Sequence, residues 1–287
     1  MIRRFVFAGG TATVALLALV SSQQAAAQTA KPGSGVDFDV AVTINVTGPM
    51  AGMLAALGPG YSGHGIALGS RVRIDIVEGA LPPVAEKGDY MLFDSTGITV
   101  VHPVKKEFVP ISAEASSKAL EQIQALGMSI ALKDIDVSLD SIPAADTVSG
   151  FKTRHYKTSI AYTVVLEGFG TSQQLKSSAT SEYWMAAVPG LSTSPLQRTG
   201  QLNGGQGLGL SKEGPLKDLA LKADSVSRLM KGTAVKVKTT TTSDTGGGSA
   251  TLELTSQMLR VKQSPIDAAL FVVPAEYTRG ASPTSGN

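Results

Sequence analysis

The run Gly60-Tyr61-Ser62-Gly63-His64 places a serine two residues before a histidine and falls one residue short of a hydrolase nucleophile elbow, because His64 stands where the second glycine belongs. An elbow needs a sharp strand-to-helix turn that lifts the serine hydroxyl clear of the sheet. The residues that follow, HGIALGSRVRIDI, lead into a strand instead. A serine-type hydrolase would require Ser62, His64 and an aspartate to meet in space, and it ranks third among the functions considered. From Gly58 the same stretch spells G-x-G-x-x-G. That fingerprint binds a pyrophosphate only when a helix N-terminus follows it, so a mobile glycine loop is expected here rather than a nucleotide site.

Other reactive side chains are explained by strand geometry. His102, Lys105, Lys106 and Glu107 fall at a turn between two strands, where alternating positions diverge and need not converge on one reacting atom. Asp134, Asp136, Ser138 and Asp140 look like the start of a calcium loop but lack its glycine and its closing glutamate. With a period of two they read as the wet face of a strand. His64, His102 and His155 have no metal-ligand spacing and no cysteine to join them, so no metal or other cofactor is expected.

The elements that would position these groups are mostly strands. Residues 36–47 alternate strictly, with Phe38, Val40, Val42, Ile44 and Val46 on one side and Asp37, Asp39, Thr43, Asn45 and Thr47 on the other. The pattern recurs at 71–78 and at 154–166, where Tyr156, Ile160, Tyr162, Val164 and Leu166 share a face. Residues 88–111 read as a three-strand meander, turning at Asp94–Gly97 and again at His102-Pro103-Val104. Further strands are predicted at 128–139, 175–188, 233–242 and 250–261. In 128–139 the apolar set shifts from Met128, Ile130 and Leu132 to Ile135, Val137 and Leu139, which predicts a bulge or a strong bend. Helices are predicted at 215–230, with Leu219, Val226 and Met230 on its apolar stripe, and at 112–126. Ser264-Pro265 should open a short third turn. The glycine- and serine-rich stretches 48–70, 189–214 and 243–249 are expected to be connectors, the middle one a flexible insertion.

The chain begins with Arg3 and Arg4, an apolar run from Phe5 to Val20 and the small residues Ala25-Ala26-Ala27, the three parts of a secretory signal peptide cleaved after Ala27. The run is too short and too diluted by glycine and threonine to span a bilayer. After it come an N-terminal segment at 28–35, one domain at 36–277 and a tail at 278–287, the first and last without expected structure. Removing the two arginines takes the formal charge from +2 to about zero, which gives no electrostatic case for nucleic acid. There is no cysteine, so an ordinary core must hold the fold.

The order RVRIDIVEG (71–79), GDYMLFDSTGITVVHPVKKEF (88–108), FKTRHYKTSIAY (151–162), SEYWMA (181–186) and FVVPAEY (271–277) resembles an uncharacterised family of exported bacterial domains. Those domains share the fold of the outer-membrane lipoprotein carriers and receptors. The resemblance implies a mainly β (α+β) fold: a single antiparallel, strongly curved half-barrel sheet with two or three helices on its concave side. It also implies a hydrophobic concavity. The expected function is therefore a periplasmic or secreted, non-enzymatic protein that binds a lipid or other apolar ligand. The alternative is a structural or interaction domain of the cell envelope, with an envelope protein as partner and a cavity plugged by its own helices. Candidate cavity residues are Met50, Met53, Leu54, Leu57, Trp184, Leu219 and Val226. Residues 50–57 read either as a core segment or as a short lid helix, and Trp184 either as core or as cavity lining. No membrane span is expected in the mature chain.

Overall fold

The computed structural model describes residues 33–49, 51, 58–94, 97–111, 127, 129–143, 146–168, 171–191, 194–196, 217–244 and 248–280. Their organising strand is β1 (Gly33–Thr47), in which Val36, Phe38, Val40 and Val42 are buried and the intervening aspartates are not. The side of the sheet that carries Val40 and Val42 is the inner face, and the opposite side is the outer face.

On one flank of β1 run β2 (Gly60–Leu68), β3 (Arg71–Leu81) with the short β4 (Ala85–Glu86) paired to it, β5 (Tyr90–Phe93), β6 (Ile98–His102) and β7 (Glu107–Ile111). On the other flank are β14 (Ser249–Ile266), β13 (Thr233–Asp244), β12 (Thr171–Ala186), β11 (Arg154–Gly168) and, at the edge, β8 (Ser129–Ile142). The opposite edge is β15 (Thr278–Arg279). These make one open sheet of 13 strands, and β9 (Thr147–Val148) with β10 (Phe151–Lys152) forms a separate hairpin.

The expectation of a mainly β chain built on one large unclosed sheet holds. A single antiparallel half-barrel does not, because the sheet is mixed. β15 runs parallel to β7, with Thr278 N–H donating to Lys106 O and Gly280 N–H to Phe108 O, both at 2.9 Å. A chain that leaves β14 and passes along the outer face reaches the free side of β7 from its turn end, and this fixes its direction.

Two or three helices were expected, and the described residues contain one α-helix, α1 (Lys217–Ser227), together with a 3-10 turn at Ala268–Phe271. The expected helix at 112–126 lies outside the described residues. The turn expected at Ser264-Pro265 is displaced. Both residues belong to β14, and Asp267 caps the turn by accepting from Ala269 N–H at 2.9 Å. Proline is tolerated there because β14 beyond Gln257 pairs with β1 alone, so the missing donor faces no partner. No helix among the described residues is long and apolar enough to cross a membrane.

The stretch 48–70, expected to be a connector, contains β2. Its glycines hide the strand from a propensity reading and are what the packing requires. A Cβ on Gly65 would lie 2.3 Å from Phe38 Cε2, and one on Gly63 would lie 3.0 Å from Ile74 Cγ2. The bulge expected in 128–139 is present: the β8–β11 register shifts around Asp134, which takes a φ of +53°. In the meander, the first turn closes through Asp94 N–H to Gly97 O at 3.1 Å, with Gly97 at a φ of +145°.

Near the top of β1 the inner face is covered by the chain that leaves β12, where Val188, Leu191 and Leu196 join the core and Leu191 bridges to Gly69. Two segments lie on the outer face. The β9–β10 hairpin reaches β14 through Ser149, whose hydroxyl donates to Met258 O and accepts from Gln257 Nε2. The C-terminal segment covers a second apolar cluster of Tyr90, Leu92 and Val101 with Phe108, Val273 and Tyr277.

Candidate functional site

Ser62 and His64 share the outer face of β2, two residues apart in a regular strand. The His64 ring is committed elsewhere: Nδ1 is 3.5 Å from Asp39 and Nε2 is 3.8 Å from Asp37. A serine nucleophile needs one of those nitrogens, and the strand carries no elbow. Lys262 and Arg260 close on the same two aspartates, so the group is a charge cluster spanning β14, β1 and β2.

His102, read as a solvated turn residue, is mostly buried and lies 2.8 Å from Asp89 through Nδ1. Asp89 is itself buried and also accepts from Glu86 N–H at 2.9 Å. Their 13-residue separation, across two strands and a turn, left no local signal for this pair. No group of three or more potential ligands that could hold a metal occurs among the described residues.

The candidate cavity residues fall in different places. Met50, Met53, Leu54 and Leu57 lie outside the described residues. Leu219 is buried and Val226 half-buried on α1, which packs beside β8 and donates from Lys222 Nζ to Ile135 O at 2.6 Å. A cleft of about 380 Å³ beside this helix is lined by Lys133, Asp134, Asp218 and Lys222 as well as by Leu132, Ile135 and Leu221. So charged a lining does not suit an apolar ligand. Trp184 lies on the outer face, away from Tyr183. It stacks on His155 with centroids 4.4 Å apart, donates to Asp146 Oδ2 at 2.9 Å and sits under the Lys236 ammonium.

The feature that unites seven adjacent strands is the chemistry of the inner face. Register places there Tyr156–Leu166 of β11, Gln173–Met185 of β12, Val237–Ser243 of β13, Ala250–Met258 of β14, Val36–Val46 of β1, Tyr61–Ala67 of β2 and Val72–Ile76 of β3, taking alternate residues in each range. No Asp, Glu, Lys, Arg or His occurs at any of those positions. The charged residues of the same segments, among them Lys157, Lys176, Glu182, Lys236, Lys238, Glu253, Asp37, Asp39, His64, Arg73 and Asp75, all take the outer positions.

The inner face is not purely hydrocarbon. Ser181 and Thr239 hydroxyls lie 2.9 Å apart, and Tyr183 is hydrogen-bonded with Ser181 and Thr158. Burial raises the Tyr183 phenol above its ordinary pKa, these hydrogen bonds opposing the shift in part. Three further hydroxyls, on Tyr61, Thr241 and Ser256, are buried with no hydrogen-bond partner. Burial alone raises the Tyr61 phenol far above its ordinary pKa, so it remains a neutral donor at any physiological pH. Tyr61 and Ser256 flank Val42 on one rung of the sheet, one strand to either side, which sets their Cα atoms about 10 Å apart.

A buried hydroxyl without a partner costs about 1–3 kcal/mol, so three on one apolar face call for an explanation. Sequence reading missed them. Ser256 interrupts the apolar series Ala250, Leu252, Leu254, Met258, which was the available signal, whereas Tyr61 was concealed by the glycine-loop reading. Comparison of the chain with family models, with curated proteins and with solved structures gave no match.

Proposed function

We propose that this chain is an exported, non-enzymatic protein that binds a lipid or another apolar molecule against the inner face of its sheet. Kinship with the exported domains that share the lipoprotein-carrier fold belongs to the same proposal, as does a periplasmic or secreted location after cleavage of the leader. The supporting observation is a face that carries no formal charge across seven adjacent strands. Such a face favours hydrocarbon over any ion. At ~0.8 kcal/mol per buried methylene, eight methylenes contribute about 6 kcal/mol before ordering costs, which leaves micromolar affinity within reach.

A second reading is a structural or interaction domain of the envelope whose concavity is filled by the chain itself. Its support is the core packing of Val188, Leu191, Leu196 and Met230 from segments outside the sheet.

The neighbouring threonines 240 and 241 separate the two readings, because they point to opposite faces of β13. Nile red, a neutral apolar probe, should bind the full mature chain saturably with micromolar affinity. Thr241→Asp should weaken it by at least about tenfold, since a carboxylate on that face has no counter-charge. Thr240→Asp should leave it unchanged. Absence of saturable binding, or equal loss in both variants with the fold intact by circular dichroism, would exclude the inner face as the binding surface.

A further inference from the structure

The sheet ends on one side at β8, and the two halves of that edge differ. Among the described residues β8 is paired on one side only, with β11. An unpaired edge offers a row of backbone N–H and C=O groups to another strand, and bulges and lysines are common means of blunting it. The half before Asp136 is blunted in both ways. Asp134 bulges it, and Lys222 of α1 donates to the Ile135 carbonyl at 2.6 Å. The half Asp136–Ile142 has neither device. Its register with β11 is unbroken, and Asp136, Ser138, Asp140 and Ser141 are all exposed.

The side chains on this half decide what can pair with it. Val137, Leu139 and Ser141 oppose Ile160, Thr158 and Tyr156 on the inner face, so Asp136, Ser138 and Asp140 lie on the outer face. A second copy that meets this stretch antiparallel, about a two-fold axis at Leu139, sets Leu139 against Leu139 and Val137 against Ser141. On the outer face it sets Ser138 against Asp140 and Asp136 against Ile142. Inner positions meet inner positions, and no two carboxylates are opposed. Other axes fail. At Ser138 the axis opposes Asp136 and Asp140, and at Asp140 it opposes that residue to itself. Like charges directly opposed destabilise a strand pair. At Val137 the axis brings the second copy onto Ile135, whose carbonyl Lys222 already holds. With the axis at Leu139 it is Pro143 of the second copy that falls opposite Ile135, so the pairing stops where α1 begins. We propose that two copies of this chain associate by antiparallel pairing of Asp136–Ile142, joining their sheets and continuing the inner face across the two-fold.

So short a strand buries less than the ~1,000 Å² of a stable interface, and the dimer is therefore weak, with a Kd on the order of 100 µM. Sedimentation equilibrium of the full mature chain, taken up to about 1 mM, measures it. Ser138→Lys puts an ammonium opposite Asp140 of the other copy at two equivalent positions and should tighten the dimer about fivefold. Ser138→Asp puts a carboxylate there and should weaken it about fivefold. Ser129 is exposed on the blunted half of the same strand. Ser129→Lys and Ser129→Asp make the same changes of charge and should leave the Kd within about twofold of the parent. A chain still monomeric at the highest concentration would overturn the proposal. So would Ser138 variants that shift the Kd in the same direction, or shifts of equal size at Ser129 and Ser138.

Discussion

Gly65→Val should lower the unfolding free energy by about 3 kcal/mol, at the upper end of the cost of overpacking a core. The reason is steric. The Phe38 ring fills the space over Gly65, and a Cβ there would lie 2.3 and 2.4 Å from Cε2 and Cζ. Phe38 is fully buried and central to β1, so it cannot swing into solvent. Phe38→Ala alone should cost about 3–5 kcal/mol through the cavity it leaves. In the double variant the valine occupies part of that cavity, and the two costs should fall short of their sum by at least about 1 kcal/mol. Urea unfolding midpoints of the four proteins in the cycle measure this coupling. Strict additivity would mean that Phe38 and Gly65 do not oppose each other across β1 and β2.

Asp89→Ala should be nearly as damaging, by about 3 kcal/mol, although Asp89 lies in a turn. Its buried carboxylate accepts from Glu86 N–H at 2.9 Å and pairs with His102 Nδ1 at 2.8 Å. Alanine removes the single oxygen, Oδ2, that meets both groups, leaving the Glu86 amide and a largely buried imidazole without that partner. Asp89→Asn keeps an oxygen able to accept from Glu86 and should cost about 1 kcal/mol. Thermal unfolding distinguishes the two. An asparagine variant as unstable as the alanine one would place the whole effect in the charge opposite His102, and two neutral variants would remove the pair from the account of stability.

The strands legible in the sequence were those whose two faces differ in polarity. Residues 36–47 alternate because one face of β1 lies against the core and the other carries Asp37 and Asp39 toward His64, Arg260 and Lys262. The bulge at Asp134 was legible for the same reason, since an extra residue reverses the phase of the apolar set. β2 was not legible. Gly63 and Gly65 contribute no hydrophobicity to the pattern, yet their emptiness is what lets Val40 and Phe38 pack. The parallel β15 and the His102–Asp89 pair depend on where distant segments return, and local periodicity holds no record of that. At the candidate site the apolar character of the inner face could be read strand by strand. Its continuity over seven strands, and the alignment of Tyr61 with Ser256 across Val42, required the register.

Trp184 illustrates the same limit. A strand at this position is legible in the sequence, but only the register puts Trp184 on the charged face, between His155 and Lys236. A ligand on the inner face would therefore not touch the indole, and an unchanged Trp184 emission on adding lipid would say nothing against binding.

The most direct test of apolar binding on the inner face is native mass spectrometry, with organic extraction, of the mature protein isolated without detergent from the envelope fraction of the cells that make it. The account predicts a stoichiometric lipid or other apolar molecule that survives purification, is recovered in the extract and is lost from the Thr241→Asp protein but not from Thr240→Asp. A clean apo mass in both, with no adduct after incubation with neutral lipids, phospholipids or fatty acids, would contradict it and leave the structural or interaction reading in its place.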